Sequence, residues 1–296
     1  MKKNVLSLFD GISGLRLALN RAGIKYDNYY SSEIDKKAIA ITQKKFPDTI
    51  QVGDVRDIKN MKDIWMISAG SPCQDLSQMG LRKGMEVTTL KQYLDLKKSG
   101  HEFAGQSFLF WEFVRLVKEL KPKYFFLENV KMNHLWMYII SRELGVEPIK
   151  INSKLVTAQN RERYYWTNIP GITVPKDKGI HLSDIIDGAD TGYGRRGRWD
   201  KLLGKYVQYE TARVDRKANC ICTKIGNTSL VKMKNGTVRR LTVSELEQLQ
   251  TLPKNYTKVP GISDTARVHG IGNGWTIDVV SHLLKPLKKS KKNLVI

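Results

Sequence analysis

Residues 5–23 read VLSLFDGISGLRLALNRAG, and this stretch decides the fold. Val5 to Phe9 is a short apolar run and FDGISG a glycine turn. From Ser13 to Ala22 the apolar residues recur at helical spacing until Gly23 closes the segment. Strand, glycine loop and helix in that order open a βαβ unit. Working outward, Tyr29 to Ser32 reads as a strand, Lys36 to Phe46 as a helix and Ile50 to Val52 as a third strand. Trp65 to Ala69 and Tyr124 to Leu127 continue the strands, with an amphipathic helix from Ser107 to Leu120 that ends before Pro122. The alternation predicts an α/β, doubly wound, Rossmann-like sheet. Ligands of such sheets bind beyond the carboxyl ends of the strands, where Asp10, Glu33, Asp54, Cys73 and Glu128 fall.

The chain has 296 residues, enough for one substantial core or a core with a small lobe. Fifty Lys and Arg against 29 acids leave a formal charge of +21, a field that gathers polyanions and makes nucleic acid the leading partner. Three cysteines, Cys73, Cys220 and Cys222, are too few for a disulfide framework and lack zinc-ligand spacing, so no metal is expected. No apolar stretch is long enough for a signal peptide or a membrane span. The expectation is a cytoplasmic, intracellular protein, monomeric for want of an interface motif.

After about Pro170 the texture changes to glycine, basic residues and short β-like runs. Turn signals fall at Asp187-Gly188, Gly192 to Gly197 and Asn235-Gly236. Residues 190–240 hold thirteen Lys or Arg and four acids, so the charge concentrates here. Helical segments at Val243 to Gln250 and Thr276 to Leu287 close the chain ahead of a lysine-rich tail. The expected organisation is a catalytic and cofactor-binding domain over 1–170, a small, mostly β or irregular target-recognition lobe over 171–262, and a segment over 263–296 that returns to the first domain.

The loop Phe9 to Gly14 stands where dinucleotide enzymes carry their glycine fingerprint, but its glycine spacing is looser. A pyrophosphate needs exposed amides at a helix N-terminus, and Asp10 sets a negative charge beside them. S-adenosylmethionine has no phosphate and carries a sulfonium cation, so the acidic loop favours it. Glu33 is placed for ribose hydroxyls and Asp54 for an adenine amino group, although a glycine loop with two later acids also occurs in unrelated nucleotide sites.

Four further motifs narrow the reading: GSPCQDLS (70–77), LENV (127–130), QNRERYY (159–165) and GIGNGW (270–275). Singly each is weak. A Pro-Cys pair is usually a buried small residue, and an Arg-Glu-Arg run is usually a solvated face. Together and in this order they resemble the signature motifs of DNA cytosine-5 methyltransferases, closest in look to catalytic domains of the eukaryotic de novo branch and to small bacterial or phage relatives. The resemblance implies S-adenosylmethionine-dependent methylation of carbon 5 of cytosine in double-stranded DNA. Cys73 would add to carbon 6 of a flipped-out base, Glu128 would serve N3, Arg163 would bind the base's carbonyl oxygen, and Arg161 would lie near the thiolate or backbone.

For the cofactor the resemblance carries over Phe9 as the ring on adenine, Asp10, Gly11, Gly14 and Leu15 as loop contacts, and Glu33 with Ile34 around ribose and base. Asp54 and Val55 would hold the adenine edge, and Pro72, Leu109, Asn273 and Trp275 would complete the pocket. For DNA it suggests Met79 as the wedge that fills the vacated stack and Gln159 as a contact; the arginines of the basic lobe either read guanine in the major groove or hold phosphates, with Arg195, Arg196 and Arg198 the candidate base readers. The segment from Cys73 to Ser107 is longer than usual for the family. Its extra residues around Glu86 to Phe103, including Lys91, Lys97 and Lys98, are a candidate flap over the DNA. Two alternatives share the motifs in whole or part: a tRNA cytosine-5 methyltransferase, and a catalytically silent DNA-binding subunit, which would have lost the nucleophile or cofactor motifs that this chain keeps.

Overall fold

A computed structural model describes residues 2–72, 87–200, 202–224, 226 and 229–289, and of Arg196, Arg198, Asp200 and Lys289 the backbone alone. Cys73 and Met79 lie outside the described residues. Chain contacts divide the protein into two units, one of residues 1–151, 162–174 and 281–296, the other of residues 152–161 and 175–280.

The first unit is built on a seven-stranded sheet. Its strands are β1 (Asn4–Leu8), β2 (Tyr29–Ser32), β3 (Ile50–Gln51), β4 (Ile64–Gly70), β5 (Tyr124–Asn129), β6 (Ile149–Asn152) and β7 (Glu162–Thr167), in the order β3-β2-β1-β4-β5-β7-β6. β1 to β5 run parallel, and β7 is antiparallel to β5. β1 and β5 are buried at every position, which is why they read as continuous apolar runs rather than alternating ones.

Helices α1 (Gly14–Ala22), α2 (Lys36–Lys45), α3 (Leu90–Lys98), α4 (Phe110–Leu120) and α5 (His134–Leu144) connect the strands up to β6. Each has a local reason to begin or stop. Asp35 caps α2 by accepting from the Lys37 amide, and Asn133 caps α5 by accepting from that of Trp136. α4 ends where Lys121 turns left-handed ahead of Pro122. Its inner face, Phe110, Trp111, Phe113, Val114 and Leu116, is buried with Leu6, Leu8, Ile67, Phe125 and Leu127 in one apolar cluster. Each such side chain stabilises the fold by about 1.5–3 kcal/mol relative to exposure.

The segment expected as a flap contains a docked helix. α3 belongs to the same apolar cluster through Tyr93, and Val87, just ahead of it, is buried there too. Arg142 holds the Thr88 carbonyl. Lys97 points to the buried Glu112 rather than outward, 2.5 Å from its Oε1.

The second unit carries a four-stranded antiparallel sheet of β8 (Ala189–Asp200), β9 (Lys205–Ala212), β10 (Leu230–Met233) and β11 (Val238–Arg240), ordered β11-β10-β8-β9. It also holds α6 (Val243–Leu249) and α7 (Asp264–Asn273). α8 (Ile277–Leu284) and α9 (Pro286–Lys289) end the described chain. α6 starts on a capping box in which the Thr242 hydroxyl and the Glu245 carboxylate serve each other's amides.

Gly192 to Gly197, expected as a turn, is instead the middle of β8. These glycines mark close approach: a Cβ at Gly192 would stand 2.3 Å from the Lys217 carbonyl, and one at Gly197 would stand 2.0 Å from the Tyr206 ring. β8 and β9 pair without a break from Tyr193↔Ala212 to Asp200↔Lys205. Trp199, Leu202, Leu203 and Tyr206 are exposed at the far end of this ribbon.

Candidate active site and cofactor loop

The parallel register sets the ends of β1, β2, β4 and β5 side by side: Leu8 pairs with Ser32 and with Ala69, and Gly70 pairs with Glu128. The residues that follow these strands therefore share one edge of the sheet. Phe9 leaves β1 at φ 54°, a left-handed conformation that is unfavourable for a residue with a Cβ and that here turns the chain sharply into the glycine loop.

Asp10, expected as an acid facing the ligand, turns inward. It is buried, its Oδ1 accepting from the Tyr29 hydroxyl at 2.6 Å and its Oδ2 from the Ser13 hydroxyl at 2.6 Å. Burial pushes its carboxyl above the ordinary range against the pull of these hydroxyls. Asp10 thus braces the loop from beneath. The acid at the loop surface is Glu33: its Oε2 accepts from the Gly11 amide at 2.7 Å, and its Oε1 from the amides of Ile34 and Asp35 at 2.7 and 2.8 Å.

This arrangement bears on the kind of ligand the loop accepts. A phosphate site offers free amides to an anion, whereas here the Gly11 amide is already satisfied by a carboxylate. The loop suits a donor without phosphates. Ile34, directly after Glu33, is 68% exposed, an apolar surface open to a flat ring. Asp54 caps the one-turn helix Val55–Asp57 and is held by Arg56, whose Nε and Nη2 lie 3.0 and 2.6 Å from its two oxygens. That guanidinium keeps the Asp54 carboxyl below its usual range. Leu15 and Val55 are buried, Gly14 begins α1, and Leu109 packs against the apolar cluster.

Glu128 is the last residue but one of β5, and its Oε1 lies 3.0 Å from Nε of Arg163 on β7. The next residue, Asn129, donates through Nδ2 to Ser71 Oγ at 2.9 Å, tying the LENV strand to the residue that follows β4. Asn129 was quoted in the motif without a role. Its neighbours were legible in the sequence, but the 58-residue closure that brings it to Ser71 was not.

Further expected residues belong to the second unit. Arg161 is buried in the second unit, donating through Nη1 to the Ile221 carbonyl at 3.0 Å and through Nη2 to those of Gly272 and Gly274 at 3.0 and 2.9 Å. Gln159, expected at the DNA, is fully buried: its amide donates to Leu249 O and Gln250 Oε1 and accepts from the Ile221 amide. It ties three segments together and is not retained as a DNA contact. Asn273 ends α7 in the second unit, with Trp275 just beyond it. Arg195 on β8 pairs with Glu210 across the ribbon at 2.8 Å. Among the described residues no group of three or more metal-ligating side chains gathers, and no helix is long and apolar enough to cross a membrane.

Solved structures of the same shape are methyltransferases. EhMeth of Entamoeba histolytica superposes with a TM-score of 0.65 at 17% identity, over 99% of this chain and 100% of its own. Dnmt2 of S. pombe also reaches 0.65, at 15% identity, over 98% and 100%. The fold is therefore the α/β methyltransferase fold, a mixed seven-stranded sheet with a small antiparallel lobe.

The sequence profile of the C-5 cytosine-specific DNA methylases matches residues 3–134 and 157–289, and the chain belongs to that family. It is similar to the type II methyltransferase M1.ScrFI of Lactococcus lactis subsp. cremoris, 30% identical over 98% of this chain and 80% of that one. M.NlaX of Neisseria lactamica is 26% identical over 96% of each. The orphan methyltransferase M.SPRI of Bacillus phage SPR is 34% identical over 55% of this chain and 37% of its own. The protein is a DNA cytosine-5 methyltransferase, and its family uses S-adenosylmethionine as methyl donor.

Proposed function

We propose that Cys73 is the nucleophile of this reaction, with Glu128 and Arg163 binding the target cytosine and the Gly11–Glu33 loop holding the methyl donor. The observation that carries this reading is the pairing of Arg163 on β7 with Glu128, which β5 holds in register with Gly70, three residues before Cys73. A cytosine extruded from duplex DNA offers a ring nitrogen and a carbonyl oxygen on one edge, the acceptors that a carboxylic acid and a guanidinium recognise together. Asn129 and Ser71 would anchor the chain two residues ahead of the thiol.

Addition of the Cys73 thiolate to carbon 6 forms a carbon–sulfur bond and moves an electron pair into the ring, toward N3 and the carbonyl oxygen. Glu128 supplies a proton or strong hydrogen bond at N3, and Arg163 holds the oxygen. Carbon 5 is now nucleophilic. When bound, S-adenosylmethionine supplies the electrophilic methyl group that carbon 5 takes. A base such as water then takes the carbon 5 proton, the carbon–sulfur bond breaks to release the Cys73 thiolate, and N3 returns its proton to Glu128.

For the donor, Glu33 offers its remaining lone pairs to ribose hydroxyls, Phe9 and Ile34 cover the adenine, and Asp54 with Val55 takes its edge. Arg161 acts here as a positioning residue through the carbonyls it gathers. Arg195, Arg196 and Arg198 of β8 belong to a two-stranded ribbon, an element the major groove of duplex DNA admits.

A duplex bearing 5-fluorocytosine at the target tests the chemistry, because fluorine cannot leave as a proton does. Incubation with S-adenosylmethionine should give a covalent adduct that survives a denaturing gel and is absent with Cys73→Ser. An adduct formed equally well by Cys73→Ser would remove Cys73 from the mechanism.

A further inference from the structure

Glu112 is a fully buried carboxylate that the reaction does not use. Three donors meet on it: the Tyr93 hydroxyl from α3, Lys97 Nζ at 2.5 Å, and Arg115, whose Nε and Nη2 lie 2.7 and 2.6 Å away. Arg115 then reaches past the helix. Its Nη1 donates to the Ile58 carbonyl at 3.2 Å and its Nη2 to the carbonyls of Val55 and Ile58, each at 3.3 Å. Those carbonyls belong to the turn that Asp54 caps.

The turn is also shaped by the Asp54 cap on the Arg56 amide, by the Arg56–Asp54 ion pair and by burial of Val55 and Ile58 in the apolar cluster. Within its own backbone it is closed by the Asp57 amide on Asp54 O at 3.1 Å and the Ile58 amide on Val55 O at 3.4 Å. α4 is rooted in the same core through Trp111, Phe113 and Val114. α3 is held against it by Tyr93, whose ring packs on Phe103 and Phe108 at centroid distances of 5.0 and 6.3 Å. Burial, and then the carboxylate beside it, push the Tyr93 phenol far above its ordinary pKa, so the hydroxyl remains a donor at any working pH.

We propose that Tyr93, Glu112 and Arg115 are positioning residues for the methyl donor: the inserted helix α3 clamps the Glu112 carboxylate, Glu112 orients the Arg115 fork, and Arg115 fixes the Asp54–Asp57 turn against the adenine. The proposal rests on the reading that Asp54 and Val55 hold the adenine edge. It gives the insertion a function in donor affinity, where its lysines alone suggest DNA.

The test compares Tyr93→Phe, Arg115→Lys, Asp54→Ala and Val117→Ala, the last a cavity on α4 outside the polar relay. KM for S-adenosylmethionine, kcat at saturating donor and the thermal midpoint are measured for each. Tyr93→Phe and Arg115→Lys should raise KM about 3- to 10-fold with kcat within about twofold, the scale of one ordinary hydrogen bond. Val117→Ala should lower the midpoint without moving KM. A wild-type KM in both relay variants, or a rise in Val117→Ala that matches its loss of stability, overturns the relay. If Asp54→Ala raises KM while the relay variants do not, the relay alone falls; if Asp54→Ala leaves KM unchanged, the adenine reading falls and the relay with it.

Discussion

Glu128 Oε1 and Arg163 Nε lie 3.0 Å apart across the antiparallel β5–β7 pair, both side chains nearly buried. A carboxylate and a guanidinium so placed hold each other's geometry. Glu128→Gln should lower kcat by about 100- to 1000-fold, since it removes the acid and leaves the shape. Combining it with Arg163→Met should cost less than the product of the single losses, because the residues act on one base. Single-turnover methylation of a hemimethylated or unmodified duplex reads both numbers.

Glu33 gathers the amides of Gly11, Ile34 and Asp35 on one carboxylate. In Glu33→Gln an amide NH2 must face at least one of these donors, a repulsion that loosens the loop. Donor affinity should fall about tenfold, on the scale of one charge-assisted hydrogen bond, with a smaller effect on kcat at saturation. Calorimetric titration with S-adenosylhomocysteine checks this, and unchanged affinity would detach Glu33 from the donor site.

The two glycines of β8 should respond differently to alanine. At Gly192 the added Cβ meets a backbone carbonyl at 2.3 Å, which cannot move without disturbing the chain at Lys217. At Gly197 it meets the exposed Tyr206 ring, which can rotate away. Gly192→Ala should destabilise by about 2–3 kcal/mol and Gly197→Ala by less than about 1 kcal/mol. Urea unfolding measures both, and equal losses would contradict the close approach.

Arg161 is buried among carbonyl oxygens of Ile221, Gly272 and Gly274. A lysine there offers one nitrogen where the guanidinium offers two. Arg161→Lys should cost about 2–4 kcal/mol of stability, because buried acceptors lose their partner. At a temperature where the variant is folded, kcat should fall less than in Glu128→Gln. A larger fall would assign Arg161 to the chemistry.

Acid should affect donor binding late. The Arg56 guanidinium holds the Asp54 carboxyl below its ordinary value of 3.8, so the pair's contribution is fully present above that value. It is lost only as pH falls through the depressed one. Affinity for S-adenosylhomocysteine should therefore be flat down to about pH 5, and Arg56→Ala should shift the acid limb upward. A limb unmoved by Arg56→Ala would show that Asp54 does not set it.

Much of the first unit was legible in the chain. The run at residues 29–32 is β2 as read, and the helix read from Ser107 to Leu120 is a one-turn helix, Ser107–Leu109, continued by α4. Periodicity reports these because apolar spacing and backbone geometry are local. β8 escaped it, since glycine signals a turn unless a neighbouring chain packs on it, as the Lys217 carbonyl does at Gly192. α3 escaped notice as well: among the polar residues of the insertion, the anchor Tyr93 is identified by Glu112, nineteen positions later.

The sequence by itself determined the class of chemistry, because a thiol, a carboxylate and arginines in motif order define what reaction is possible, and it determined the strand series that carries them. Tertiary structure decided which acid faces outward. Asp10 and Glu33 are both carboxylates near the glycine loop, but Tyr29 and Ser13 draw one inside while the Gly11 amide holds the other at the loop surface. Residue type sets what a group can do; the partners that chain closure brings within 3 Å of it decide what it does.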